Sequence, residues 1–244
     1  LDQVNLNHSV TVARLVELLN VSTETVRRDL EDLENNNMLT RVHGGAVSVK
    51  KRYRFEDMDV RGTSNMELKE QIARKALEYV KDGDTIAIDS GSTASLFAMA
   101  LKARNFDSLS VITYSSEVFS ILSECENYRI TLLGGEYLPK EKLFYGFLTH
   151  EAMQKLYFSK AFVVPSALSV EDGAHDFIRE TYENQCMLIG HASEVFLLAD
   201  STKFETKGDF KLSDLQPEYT IITDDKLPES VYNMYRDHKL NVVS

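Results

Sequence analysis

Asp89-Ser90-Gly91-Ser92-Thr93 is the stretch with the most definite chemistry in this chain. It joins a strand-like run, Thr85 to Asp89, to a helix-like run that starts at Ser92. A phosphate needs several N–H and O–H donors converging on one point. Glycine lets the backbone approach, hydroxyls add donors, and a helix N-terminus adds a favourable dipole. In open α/β sheets, ligands bind beyond the carboxyl ends of strands, and this loop has that position. A Ser/Thr-capped turn without a ligand uses the same residue types, so the loop alone leaves both readings open. It is not a Walker A loop, because the Gly-Lys-Ser/Thr end is missing. It is not a dinucleotide fingerprint, because the second and third glycines are absent. Two other predicted strand ends add candidates. Gly134-Gly135 follows Leu132-Leu133, and Asp200-Ser201-Thr202-Lys203 follows Val195 to Ala199. Lys203 could supply a phosphate with a point charge, or it is an ordinary loop lysine. Tyr145-Gly146, ahead of another helix, is a weaker candidate.

A second constellation is basic. Val26, Leu30 and Leu33 recur at helical spacing behind Ser22, a predicted N-cap, and Arg28 falls almost opposite that apolar stripe. Upstream, Val12, Leu15, Val16 and Leu19 form another helical stripe, with a break at Asn20-Val21. Two short helices with a tight turn, the second carrying Arg27 and Arg28 near its start, have helix-turn-helix geometry. Asn35-Asn36-Asn37 predicts a stop. Two extended runs around Gly44-Gly45 predict a two-stranded wing that exposes Arg41 and His43. Lys50-Lys51-Arg52-Tyr53-Arg54 is the one dense basic run; it is either a solvated linker or a contact to DNA backbone. A small helical protein-interaction domain is the alternative for the whole segment.

Charge distribution bears on that choice. Residues 1–54 carry eight Lys/Arg and seven Asp/Glu, and the remainder nineteen and thirty-one, so the C-terminal part holds −12 against +1 in the N-terminal part, for a net charge of −11. An acidic body repels DNA and leaves contact to the N-terminal segment. Residues 55–66 read as a linker. From residue 67 onward helical and strand patterns alternate, which predicts an α/β domain with a mostly parallel sheet over 67–244.

The N-terminal motif resembles a known family. Val21-Ser22-Thr23-Glu24-Thr25-Val26-Arg27-Arg28-Asp29-Leu30, then Leu33-Glu34, then Leu39-Thr40-Arg41-Val42-His43-Gly44-Gly45-Ala46 look like the winged helix-turn-helix of the DeoR/GlpR bacterial regulators. Asp82-Gly83-Asp84, Asp89 to Thr93, Leu133-Gly134-Gly135, Glu180, Ala199 to Phe204 and Ile222-Thr223-Asp224 resemble the same family's sensor domain. The resemblance implies an N-terminal winged helix-turn-helix joined to a larger α/β sensor domain resembling ribose-5-phosphate isomerase. It also implies a homo-oligomeric repressor of sugar or carbohydrate metabolism genes, which a phosphorylated sugar or related metabolite releases from double-stranded operator DNA. The implied DNA contacts are Ser22, Thr23, Thr25, Arg27, Arg28, Arg41, His43, Lys50, Lys51 and Arg52. The implied effector contacts are Asp89, Ser90, Gly91, Ser92, Thr93, Gly134, Gly135 and Lys203. Asn37 stands where the family has Gly, and Asn tolerates positive φ. Only nine residues precede Val10, so a first helix cut short is expected. Pro165-Ser166-Ala167-Leu168 replaces the family's Gly-Ala-Asp-Gly, removing a carboxylate, and Ala94 replaces a frequent Thr.

The rival reading is a sugar-phosphate isomerase, which needs a base beside a carbonyl. After Ala161 to Val164 no Asp or Glu occurs until Glu171-Asp172, and an isomerase has no use for an arginine-bearing helix-turn-helix. No catalysis is therefore expected. A third reading keeps DNA binding and loses the sensor. The six His and two Cys lack ligand spacing, so neither metal nor cofactor is expected. His175-Asp176 reads as a solvated loop, and Cys125 and Cys186 as core. No apolar run approaches the roughly 18–20 residues of a membrane span, and no signal peptide is evident. A cytoplasmic location is the default.

Overall fold

A computed structural model describes Val4 and residues 9–36, 38–42, 44–48 and 58–244. The chain divides into two compact units, Leu1–Arg52 and Tyr53–Ser244.

In the first unit, helices Val12–Leu19 and Thr23–Asn35 meet at Asn20, whose backbone is left-handed (φ 52°). Asn adopts that conformation at small cost, which allows the sharp turn. Leu15, Val26, Leu30, Leu39 and Ala46 are buried together. The predicted two-stranded wing is present, and a third strand that the pattern does not predict joins it. Strand β1 (Ser9–Thr11) pairs antiparallel with β3 (Gly45–Ser48), which pairs with β2 (Leu39–Val42). A three-residue strand is too short for alternation to reveal. Gly45 is required there, because a Cβ would lie 2.1 Å from the Val10 carbonyl oxygen.

In the second unit, seven parallel strands form one sheet in the order β15-β14-β12-β9-β4-β5-β6. They are β4 (Thr85–Ile88), β5 (Leu109–Thr113), β6 (Tyr128–Leu132), β9 (Phe158–Val163), β12 (Ala192–Leu198), β14 (Thr220–Ile222) and β15 (Asn241–Val243). Alternate side chains feed two cores. Ile86, Ile88, Phe162 and Phe196 pack with helices Met66–Leu77, Ser92–Arg104 and Ser116–Leu122. Ala87, Ala161, Val163 and Leu197 pack with Met153, Leu188 and Tyr235 from helices Phe147–Met153, Arg179–His191 and Glu229–Asp237. Burial on both faces explains the continuous apolar runs in these strands. Three shorter strands form a separate antiparallel sheet: β10 (Ala167–Ser169), β11 (Gly173–Asp176) and β13 (Phe210–Ser213). A hairpin of β7 (Glu136–Leu138) and β8 (Leu143–Tyr145) follows β6 in sequence and lies against the residues after β5, where Ser115 bridges Leu143.

The expected linker, 55–66, is folded over its described part. Met58–Arg61 is helical, and the buried Lys69 ammonium donates to the Arg61 and Ser64 carbonyls. Few apolar residues were needed because a buried cation holds this segment through its backbone.

Candidate functional site

The helix Thr23–Asn35 is started by Ser22. Its Oγ accepts the Thr25 N–H at 3.1 Å and shares a 2.9 Å hydrogen bond with the Thr25 hydroxyl. Ser22 and Thr25, two of the predicted DNA contacts, thus build the first turn while staying exposed. Thr23, Arg27 and Arg28 are exposed on the same end. Arg41 is exposed, as expected, and is also tied to the helix. Its guanidinium lies 3.8 Å from Glu31 and 3.9 Å from Glu34, and its N–H donates to Glu34 Oε1 at 2.8 Å. Glu31, Asp32 and Glu34 make the helix's second half acidic, so only its N-terminal half suits a phosphate-lined groove. His43, Lys50, Lys51 and Arg52, with Asn37, lie outside the described residues.

The second unit has its cleft where strand order reverses. From β4 the chain runs outward through β5 and β6, then returns to place β9 on the other side of β4. The carboxyl ends of β4 and β9 therefore form a topological switch point, the usual ligand position in such sheets. Ser90 and Gly91 follow β4, Val164 and Ser166 follow β9, and together they line the cleft with Asp176 and Thr181. Arg61 and Glu141 complete the lining as a partly buried ion pair. Gly91 has φ +107°, and a Cβ there would lie 3.8 Å from Arg61 Nη1. Helix Ser92–Arg104 begins there with no side chain capping it, so its first N–H groups remain for a ligand. Ser92 and Thr93 are buried at this end.

Asp89 organises the loop and does not face the cleft as a free carboxylate. Its Oδ1 accepts the Ser90 N–H at 2.6 Å and the Tyr114 hydroxyl. Its Oδ2 accepts the Val164 N–H at 2.8 Å and Gln185 Nε2 at 2.7 Å. Complete burial raises its pKa, and these four donors oppose the rise. Tyr114 is pushed well above its ordinary range by burial and by the Asp89 charge. Asp176 is raised to about 6, first by burial and then by Asp89 among other neighbours.

Of the predicted effector contacts, Ser90 and Gly91 line this cleft and Asp89, Ser92 and Thr93 flank them in sequence, while Gly134, Gly135 and Lys203 are not in its lining. Gly134-Gly135 follows the edge strand β6, two places from β4. Gly135 is small for packing: a Cβ would lie 2.3 Å from Thr149 Oγ1 and 2.4 Å from the Tyr145 carbonyl oxygen. Lys203 follows β12, and its ammonium lies 3.8 Å from Asp200. The cation at the cleft is Arg61, from the segment read as a linker.

His175 and Asp176 are not a solvated loop: both are buried on β11. Ser166 Oγ donates to Asp176 Oδ2 at 3.0 Å. The carboxylate missing from 165–168 in sequence is thus present beside Ser166 in space. Thr181, Asn184 and Gln185 are buried polar residues at i, i+3 and i+4 of helix Arg179–His191. That polar stripe was a readable signal for an inward-facing polar helix face. Cys125 and Cys186 are half-buried, and burial raises both thiols. Among the described residues no three His, Cys, Asp or Glu cluster as metal ligands, and no helix is long and apolar enough to cross a membrane.

A winged helix-turn-helix joined in sequence to an α/β domain with a polar switch-point cleft defines a DNA-binding transcriptional regulator with a sensor domain. Family comparison gives the same class: a DeoR-like helix-turn-helix domain matches residues 1–52, and a DeoR C terminal sensor domain matches 64–225. The chain belongs to the DeoR family. It is 36% identical to a lactose phosphotransferase system repressor of Lactococcus lactis over 93% of this chain and 89% of that protein. It is 32% identical to the uncharacterized HTH-type transcriptional regulator YulB of Bacillus subtilis over 99% and 92%. Among solved structures, ribose 5-phosphate isomerase A of Methanocaldococcus jannaschii aligns over 58% of this chain and 55% of that chain at 20% identity and a TM-score of 0.43.

Proposed function

We propose that this regulator represses genes of carbohydrate metabolism and leaves its operator when a phosphorylated sugar binds the Ser90–Thr93 loop. The observation that carries the reading is the uncapped start of helix Ser92–Arg104 at the switch point, with Arg61 beside Gly91. N–H donors, a helix dipole and a guanidinium suit a dianionic phosphate. The names of relatives such as the Lactococcus lactis repressor support a carbohydrate context. Thr23, Arg27 and Arg28 enter the major groove. One such helix reads few base pairs, so a homo-oligomer on repeated half-sites fits the task. Effector binding then favours an arrangement whose helices no longer match the half-site spacing.

No catalysis is part of this reading. Of the two carboxylates that line the cleft, Glu141 is paired with Arg61, and Asp176 accepts the Phe177 and Ile178 N–H groups through Oδ1 at 2.7 and 2.9 Å and the Ser166 hydroxyl through Oδ2. Incubation with sugar phosphates is expected to yield no isomer.

The test is thermal unfolding of the full chain with sugar phosphates and their unphosphorylated counterparts. A ligand at 100 times its Kd adds about 2.7 kcal/mol, a shift of several degrees. The shift should require the phosphate and disappear in Thr93→Val. No shift with any sugar phosphate would refute the effector class.

A further inference from the structure

The cleft holds more than donors for a phosphate. Thr181 is 7% exposed, lines the cleft, and its Oγ1 is buried without a hydrogen-bond partner. Burying a hydroxyl without a partner is costly, so this oxygen points to a missing partner. Asp176 stands in the same lining, 2% exposed. Its Oδ1 is held by two backbone N–H groups, which fixes the plane of the carboxyl group. Its Oδ2 accepts from Ser166, leaving further lone-pair capacity on that oxygen. These three side chains come from three separate elements: the turn after β9, strand β11 and helix Arg179–His191. They converge on the cleft that Ser90 and Gly91 close from the β4 side.

We propose that Asp176, Ser166 and Thr181 are the specificity-determining residues of the effector site, reading hydroxyl groups on the carbons next to the phosphate. The inference rests on the phosphate-loop reading above. A sugar hydroxyl donates to Asp176 and accepts from Thr181, whereas the Asp176 carboxylate offers an anionic phosphate no donor. The closed cleft has a volume of about 10 Å³, room for one water; its lining must part to admit the ligand class, a short polyhydroxylated monophosphate held through its phosphate at Ser90–Thr93 and through one or two hydroxyls at this trio. A buried site built around hydroxyls discriminates strongly against ligands that lack them, because its own polar groups are then left unpaired.

The test uses titration calorimetry on the full chain with ribose 5-phosphate, glucose 6-phosphate and inorganic phosphate. Thr181→Val keeps the shape and removes the orphaned oxygen. Asp176→Asn keeps an acceptor for the two N–H groups. Thermal unfolding shows that each variant is folded, and Ser166→Ala replaces any that is not. The expected result is a loss of about tenfold or more in affinity for the sugar phosphate that binds, with inorganic phosphate bound as by the wild type. Wild-type affinity for the sugar phosphate in both folded variants overturns the proposal and leaves the phosphate loop standing. Equal loss for inorganic phosphate and sugar phosphate also overturns it, since the trio would then serve the loop's structure. If the wild type binds none of the three probes, the phosphate-loop reading itself fails and takes this assignment with it.

Discussion

Asp89→Asn tests the account of the effector loop most directly. The carboxylate accepts the Ser90 and Val164 N–H groups, the Tyr114 hydroxyl and Gln185 Nε2, with the Ser90 hydroxyl at 3.5 Å. Asparagine retains one acceptor oxygen and turns the other into a donor. If its oxygen faces Ser90 and Tyr114, its NH2 meets Val164 and Gln185. Gln185 can then flip and present Oε1, which has no partner in the native arrangement, but the Val164 N–H stays orphaned. If the amide is reversed, Tyr114 can rotate its hydroxyl to accept, and the Ser90 N–H is orphaned instead. Either way one buried N–H loses its acceptor, at a cost of about 1–3 kcal/mol. Burying a neutral amide in place of a charge relieves desolvation, which keeps the net loss within that range. For a unit of this size the melting temperature should fall by roughly 2–4 °C per kcal/mol. Urea unfolding of the full chain gives the free energy, and phosphate binding reports whether the Ser90 N–H has moved. A variant within about 0.5 kcal/mol of the wild type would refute the claim that Asp89 ties β4 to β9.

Arg28→Ala should weaken operator binding by about tenfold or more and leave sugar-phosphate binding unchanged; an unaltered mobility shift would remove Arg28 from the interface. Gly135→Ala should cost about 1–3 kcal/mol by overpacking against Thr149 and the Tyr145 carbonyl, and a neutral result in urea unfolding would show that the hairpin yields easily. Asp176 titrates at about 6 in the folded protein, against 3.8 ordinarily. The folded state therefore binds its proton more tightly than the unfolded state does. The stability this contributes is complete below about pH 4 and lost as pH rises toward about 6, on the order of 3 kcal/mol in all. Asp176→Asn should accordingly gain stability relative to the wild type between pH 4.5 and pH 7.5; a pH-independent difference in unfolding free energy would contradict it.

Local patterns carried the parts of this protein that depend on near neighbours. The stripe Val26, Leu30 and Leu33 put Arg28 on the outside of its helix. Ser22 marked the cap through its own hydroxyl, and the run Thr85 to Ile88 followed by Gly91 and Ser92 announced a strand, a loop and a helix start. Periodicity and capping act over one or two turns, so a single sequence suffices to read them. The cleft's membership was decided by strand order, which no local pattern encodes. β9 lies beside β4 although about seventy residues separate them, and that adjacency assembled Ser90, Ser166, Asp176 and Thr181. The same order left Gly134-Gly135 at the sheet edge. Arg61 escaped notice because a buried lysine, acting through backbone carbonyls, folded a segment with too few apolar residues to show a pattern.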